Sequence, residues 1–246
     1  MIVIKIGGNL VSQLPDSFFQ AVKTMIAEGQ RVVIIHGGGN LITEASDFVG
    51  LPTQKINGIR VTSQPLMAIT NTVLAKIIQP AFAQQFIQHG IACQPLNQAS
   101  EPLFAGDYLD QSTYGEVGVL QQVNEPALQQ ATEHQVALAA PIIAGPQHQN
   151  LNVNADYAAI NVASLTGATQ CILLTDVPGV LINEQVVPTL NEVQANEMIE
   201  KGNLTGGMVP KVKAAFQALH QGVTQINITN DLKQAGTVMK LAKKEK

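Results

Sequence analysis

Asn152-Val153-Asn154-Ala155-Asp156 carries two amides and a carboxylate just ahead of a run with helical spacing, Tyr157 to Thr166, in which Ala158, Ala159, Val162 and Ala163 recur. Amides in that position can hold a polar ligand, and the Asp156 carboxylate can orient cations around a reacting group. Asn and Asp also cap helices, which is a structural use of the same residues. Two lysines stand where packing alone serves them badly. Lys5 interrupts Ile2-Val3-Ile4-Lys5-Ile6, a strand expected to be covered on both faces, so its ammonium needs either solvent at a sheet edge or a buried anion. Lys211 follows Pro210, which favours the first helical position, and so falls in a first helical turn, where the macrodipole opposes a cation. An anion shared by that helix end and the ammonium removes the conflict.

Glycine clusters supply the matching anion chemistry. Arg31-Val-Val-Ile-Ile-His36-Gly37-Gly38-Gly39-Asn40 reads as a strand running through three glycines into a capped helix, leaving backbone N–H groups bare at a positive helix end. Gly7-Gly8 follows the first strand in the same way, although glycine pairs at strand ends also serve as plain turns. Both loops fall at the carboxyl ends of strands, where open α/β sheets bind ligands. Neither follows G-x-G-x-x-G, and His36 stands where an acidic ribose ligand belongs, which excludes a dinucleotide site. Gly206-Gly207-Met208-Val209-Pro210-Lys211 lacks the P-loop spacing, and Val212 replaces its magnesium-binding hydroxyl.

The elements that must position these groups alternate. Buried-strand runs at Ile2 to Ile6, Arg31 to Ile35, Val136 to Ala139, Cys171 to Leu174 and Val223 to Ile228 are separated by helical patterns at Ser17 to Glu28, Asn40 to Val49, Pro65 to His89 and Val209 to His220. That rhythm predicts an α/β fold with a mainly parallel sheet. Two stretches break it: Thr53 to Thr62, with an Asn57-Gly58 hairpin turn, and Glu101 to Leu120, a Gly-punctuated strand region. Both are expected to overhang a site. A division into lobes, 1–165 and 166–246, falls inside a continuous sheet near Leu165.

Composition narrows the partners. At 246 residues and 46% hydrophobic, the chain can bury a large core. A net charge of −4 with 14 Lys+Arg offers no basic stripe for nucleic acid. Cys93 and Cys171 lack both disulfide-framework number and metal-ligand spacing, which points to a reducing compartment, the cytoplasm. The N-terminus reads as no export signal, and no apolar run is expected to approach the length of a membrane span. The Lys240 to Lys246 tail reads as a frayed, solvated end.

Ile4-Lys5-Ile6-Gly7-Gly8, His36 to Gly39, Asn57-Gly58-Ile59-Arg60-Val61-Thr62, Asn152 to Asp156, Leu174-Thr175-Asp176-Val177-Pro178-Gly179-Val180-Leu181 and Gly206 to Lys211, in this order, resemble the amino acid kinase family across Met1 to about Met239. The hairpin and the Asn152 to Asp156 segment are most similar to its acetylglutamate branch. The resemblance implies an open αβα sandwich, the carbamate kinase-like fold, with the acyl acceptor in the first lobe and ATP in the second. It implies ATP-dependent phosphorylation of the side-chain carboxylate of N-acetyl-L-glutamate, in L-arginine biosynthesis. Lys5 and Lys211 would then be catalytic cations on the transferring phosphoryl group, with Asp156 holding both. Gly38, Gly39, Arg60 and Asn152 would meet the acceptor. Gly8, Gly37, Thr175, Asp176, Gly179, Val180, Leu181, Asn203, Leu204 and Thr205 would meet the nucleotide. Mg2+ would arrive on ATP, held mainly by phosphates, since no clustered carboxylates offer a protein metal site. A start directly on the first strand is expected, by the same resemblance, to go with an arginine-insensitive homodimer.

Departures bear on the acceptor. Gln94 to Gly115 contains no Lys or Arg, where the family forms a lid over the acceptor. A basic surface for an acidic carrier protein, expected of a kinase acting on carrier-linked aminoadipate, is absent near the hairpins, which favours a free small molecule. Relatives with another acceptor, such as acetylaminoadipate or a nucleoside monophosphate, and a noncatalytic amino acid sensor are the alternatives. Retention of both lysines and Asp156 speaks against the sensor.

Overall fold

The computed structural model describes residues 1–97 and 101–241. Strand β1 (Ile2–Ile6) leads to α1 (Asp16–Ala27), β2 (Val32–His36) and α2 (Leu41–Phe48). The hairpin of β3 (Gln54–Ile56) and β4 (Ile59–Val61) precedes α3 (Gln64–Asn71), a π-helical segment Thr72–Ile78 and α4 (Gln79–Gln88), which run on as one helix. Next come β5 (Cys93–Pro95), β6 (Phe104–Tyr108), α5 (Gln111–Tyr114), β7 (Gly118–Val123), α6 (Glu125–Ala131), β8 (Val136–Ala139), β9 (Ile142–Ala144), β10 (Asn150–Asn152) and α7 (Ala155–Leu165). The remainder holds β11 (Gln170–Leu174), the short hairpin β12 (Leu181–Ile182) and β13 (Gln185–Val186), β14 (Thr189–Asn191), α8 (Glu192–Glu200), α9 (Met208–His220), β15 (Ile226–Thr229) and β16 (Thr237–Lys240).

Eight strands form the main sheet in the order β14-β16-β15-β11-β1-β2-β8-β5. β15, β11, β1, β2, β8 and β5 are parallel; β16 is antiparallel to β15 and parallel to β14. The α/β class and the mainly parallel sheet are therefore as expected. β1 lies inside the sheet between β11 and β2, which removes the edge-strand explanation for Lys5. A four-stranded sheet, β10-β9-β6-β7, and the β3-β4 hairpin stand apart from the main sheet.

Alternation along the strands divides the core in two. Ile2, Ile4, Ile6, Val32, Ile34, Val136 and Leu138 pack with Phe18, Phe19, Phe82 and Phe86 of α1 and α4. Val3, Val33, Ile35, Ala137, Ala139 and Leu173 pack on the other face with Ala158, Ala159, Val162 and Ala163 of α7 and Val212, Ala215 and Phe216 of α9. Side chains of a strand point alternately to opposite faces, so Lys5 shares the face of Val3 and is directed at α7 and α9. The small residues of α7 let it lie close over β1.

Several expectations need correction. The helix Gln64–Gln88 is, by length and composition, long and apolar enough to span a membrane, contrary to the expectation that no apolar run approaches that length. Here Leu66, Met67, Val73, Leu74, Phe82 and Phe86 along it are core residues packed on the main sheet. Its π-helical turn sits just before Pro80, whose ring cannot donate an N–H and crowds the preceding turn. Helix α9 starts at Met208, so Pro210 is third rather than first, and Lys211 is fourth, still within the turn whose N–H groups lack helical partners. The last-read parallel strand begins at Ile226 rather than Val223. Residues 242–246 of the basic tail lie outside the described residues, as do residues 98–100 of the Gln94 to Gly115 segment.

Candidate active site

Asp156 occupies the first turn of α7, and Asn154 is that helix's N-cap, its side-chain oxygen accepting from the backbone N–H groups of Asp156 and Tyr157. The cap reading thus holds for Asn154, whose amide is committed to the helix. It does not hold for Asn152, which lies on β10, or for Asp156. A carboxylate in that first turn is favoured by the helix dipole. Lys5 Nζ lies 3.0 Å from Asp156 Oδ1 and Lys211 Nζ 3.8 Å from Oδ2, with the three side chains only 11%, 12% and 19% exposed. The sheet thus brings together one anion and two cations from positions 5, 156 and 211. Burial lowers the Lys211 pKa; Asp156 opposes that shift, and Lys5 adds to it. Asp176, at the same cleft, also raises the Lys211 pKa.

The two glycine loops touch. A Cβ built on Gly8 would lie 2.1 Å from the Gly39 nitrogen and 2.7 Å from the Gly37 oxygen, so the backbones approach as only glycine permits. Asn9 Oδ1 accepts from the Asn40 N–H at 2.8 Å, tying the loops beyond the glycines. Gly39 adopts a φ of 55°, a left-handed conformation that turns the chain into α2.

Arg60 reaches the same space from the hairpin, whose turn is set by Asn57 and Gly58 with φ of 52° and 79°. Its Nη2 donates to Thr43 Oγ1 of α2 at 3.1 Å, while its buried Nη1 has no partner. Burial lowers the Arg60 pKa against the pull of Asp47. A half-buried guanidinium with an open donor is suited to a carboxylate. Asn152 donates through Nδ2 to Thr62 Oγ1 at 3.2 Å.

One cleft of about 430 Å3 is lined by Lys5, Gly8, Gly37, Gly38, Gly39, Arg60, Asn152, Asp156, Thr175 and Asp176. Lys211 does not line it and is tied to it only by its ion pair with Asp156. Gly179, Val180, Leu181, Asn203, Leu204 and Thr205 do not line it. Val180 and Leu204 have core side chains, Val180 N–H donates to Thr237 Oγ1, and Asn203 and Thr205 are exposed just before α9. Asn9, Thr43 and Lys55 also line or brace the cleft and escaped sequence reading. Asn9 directly follows Gly7-Gly8, and Thr43 lies one turn into α2, which is the only signal either carries. A cavity of about 480 Å3 between β7, α7 and α9 is larger, but Tyr157 is its only ionisable lining residue, so chemistry rather than volume selects the site. Among the described residues no cluster of three or more His, Cys, Asp or Glu could hold a metal.

The amino acid kinase family profile matches residues 1–230. An acetylglutamate kinase of Leuconostoc mesenteroides is 39% identical, over 97% of this chain and 98% of its own. One of Lactiplantibacillus plantarum is 38% identical, over 97% and 96%. A crystal structure from Streptococcus mutans superposes with a TM-score of 0.91 at 35% identity, covering 97% of each chain. With near-complete coverage on both sides, Lys5, Asp156 and the glycine loops gathered at one cleft and Lys211 paired to that aspartate, the chain belongs to the amino acid kinase family.

Proposed function

We propose that this protein is an acetylglutamate kinase, transferring the γ-phosphoryl group of ATP to the side-chain carboxylate of N-acetyl-L-glutamate to give N-acetyl-L-glutamyl 5-phosphate, a step toward L-arginine. The observation that carries this reading is the Lys5–Asp156–Lys211 group facing the glycine loops, with Arg60 and Asn152 lining the same cleft. The full-length similarity to acetylglutamate kinases supports the acceptor.

The chemistry asks little covalent help of the protein. A carboxylate is ionised at neutral pH and attacks without a general base. What opposes it is repulsion from the polyphosphate, and what it needs is alignment. Lys5 and Lys211 offset the charge that spreads over the phosphoryl oxygens, and Asp156 holds both ammonium groups in place. Bare N–H groups of the touching loops at Gly8, Gly38 and Gly39 suit phosphate oxygens, whereas the Gly37 N–H already donates to Ile6 O at 2.8 Å. Arg60 holds the acceptor's α-carboxylate, and Asn152 adds a hydrogen bond. ATP supplies the phosphoryl group, with residues 166–246 as its lobe and 1–165 as the acceptor lobe. Asp176, exposed at the cleft, and Thr175, whose hydroxyl donates to it at 3.0 Å, face the nucleotide side. Mg2+ accompanies the phosphates. The reading extends to a homodimer in the cytoplasm.

ADP release measured with N-acetyl-L-glutamate, glutamate, N-acetylaminoadipate and UMP tests the assignment. N-acetyl-L-glutamate is expected to turn over well above the rest. Equal or faster turnover of free glutamate or UMP overturns it, and no turnover of any acceptor favours the sensor.

A further inference from the structure

Thr62 is fully buried, follows β4 and does not line the cleft, yet it touches both residues assigned to the acceptor. Its hydroxyl donates to the Arg60 carbonyl at 2.9 Å and accepts from Asn152 Nδ2 at 3.2 Å. The polarity of this relay is forced. A hydroxyl has one hydrogen, and the Arg60 carbonyl can only accept; the hydrogen goes there, so the group Asn152 presents to Thr62 must be its NH2. The Asn152 carbonyl oxygen is then turned away from Thr62. Backbone bonds reinforce the link. Thr62 N–H donates to Tyr114 O at 2.9 Å, Glu116 N–H donates to Thr62 O at 2.6 Å, and Asn152 N–H donates to Glu116 O at 2.9 Å. Gly115, with a φ of 69°, is the residue that lets this strap close, since a Cβ there would stand 2.4 Å from Thr62 O. Hairpin, strap and β10 thus converge on one threonine.

We propose that Thr62 is a positioning residue for the acceptor: its hydroxyl sets the side-chain orientation of Asn152 and locks it to the hairpin strand that carries Arg60. The proposal rests on the reading that Arg60 and Asn152 bind the acceptor. A positioning role of this kind acts on acceptor binding and leaves the lysines, Asp156 and the nucleotide loops untouched.

Thr62→Val keeps the shape, the β-branching and every backbone bond while deleting the relay. Its KM for N-acetyl-L-glutamate is expected to rise about tenfold, the scale of one net hydrogen bond, with kcat and the KM for ATP near the parent values. Thr62→Ser restores the hydroxyl and the parent KM. In an Asn152→Ala background, Thr62→Val adds little further. Circular dichroism and thermal melting establish folding, and Thr62→Ala carries the same readout if the valine variant does not fold. An unchanged acceptor KM in the folded valine variant, a parallel loss of kcat and ATP binding, or a serine variant as impaired as the valine overturns the role of Thr62. Arg60→Ala and Asn152→Ala, assayed alongside, separate the two readings. If neither raises the acceptor KM, the acceptor site itself is misassigned and this proposal falls with it; if both do and Thr62→Val does not, only the proposal falls.

Discussion

Gly8→Ala is the sharpest perturbation the cleft offers. The added Cβ would stand 2.1 Å from the Gly39 nitrogen, 2.4 Å from the Gly38 carbonyl carbon and 2.7 Å from the Gly37 oxygen. All three are backbone atoms, so no side chain can swing aside. Restoring ordinary contact requires the two glycine loops to part by roughly 1 Å, and such a misplacement of reacting groups costs about a hundredfold in rate. Overpacking adds about 1–3 kcal/mol of destabilisation, or about 2–4 °C in Tm for each kcal/mol in a chain of this size. Gly7→Ala is the internal control, because its Cβ would meet nothing nearer than Lys5 Nζ at 3.8 Å. Gly38→Ala falls between, since its closest contact, 2.2 Å, is to the movable Ile42 Cδ1. Steady-state ADP release and thermal melts of the three variants are expected to rank the losses as Gly8, then Gly38, then Gly7. A folded Gly8→Ala enzyme with near-parent kcat, or a Gly7→Ala enzyme equally impaired, would refute the idea that touching loops align the reactants.

Replacing Lys5 or Lys211 with Met is expected to lower kcat by about a hundredfold to a thousandfold, the scale of losing one preorganised donor, with a much smaller change in KM; a folded Lys211→Met variant with normal kcat would make that lysine structural. His36 yields a pH prediction. Burial holds its pKa down to about 4 against an ordinary 6.5, so the native state keeps the ring neutral. The unfolded chain takes up the proton first as pH falls, so stability is fully present above pH ~6.5 and declines toward pH ~4, by an amount approaching about 3 kcal/mol. His36→Gln is expected to flatten the fall in Tm between neutral pH and pH ~4.5, and an acid limb as steep as the parent's would show that other groups set it.

Legibility followed burial and repetition. β2, β8 and β11 are near-continuous apolar runs and β1 is one broken only by Lys5, because both faces are covered, and such runs announce themselves. β9, β10 and β14 are three residues each, too short for any period to register, and they went unread. α8 was equally silent: only Ala195 and Met198 are buried in Glu192–Glu200, and its start is held by the Asn191–Gln194 capping box rather than by an apolar face. At the site, residues in conflict with their local element were the readable ones. Lys5 in a buried strand and Lys211 at a helix start both proved to face Asp156. Thr62 and Asn9 break no local rule, and their roles appear only once chains 90 and 31 residues apart are brought together.

That pattern has an energetic basis. A buried ion pair roughly breaks even against apolar packing of the same volume, so neither Lys5–Asp156 nor Lys211–Asp156 is needed to hold α7 and α9 on the sheet. The alanines of α7 and Val212, Ala215 and Phe216 of α9 already do that. A second lysine on one carboxylate is worse than neutral for folding, since each ammonium opposes the other; burial and Lys5 lower the Lys211 pKa against the pull of Asp156 and Asp176. The fold therefore carries a local electrostatic cost that Asp176 meets in part and a bound anion would offset further, beside the touching glycine loops. Ground-state relief alone would make this a tight phosphate site. Rate enhancement requires that the offset be larger when charge spreads over the phosphoryl oxygens than when it rests on the bound nucleotide, which is why the lysine variants are read in kcat rather than in KM.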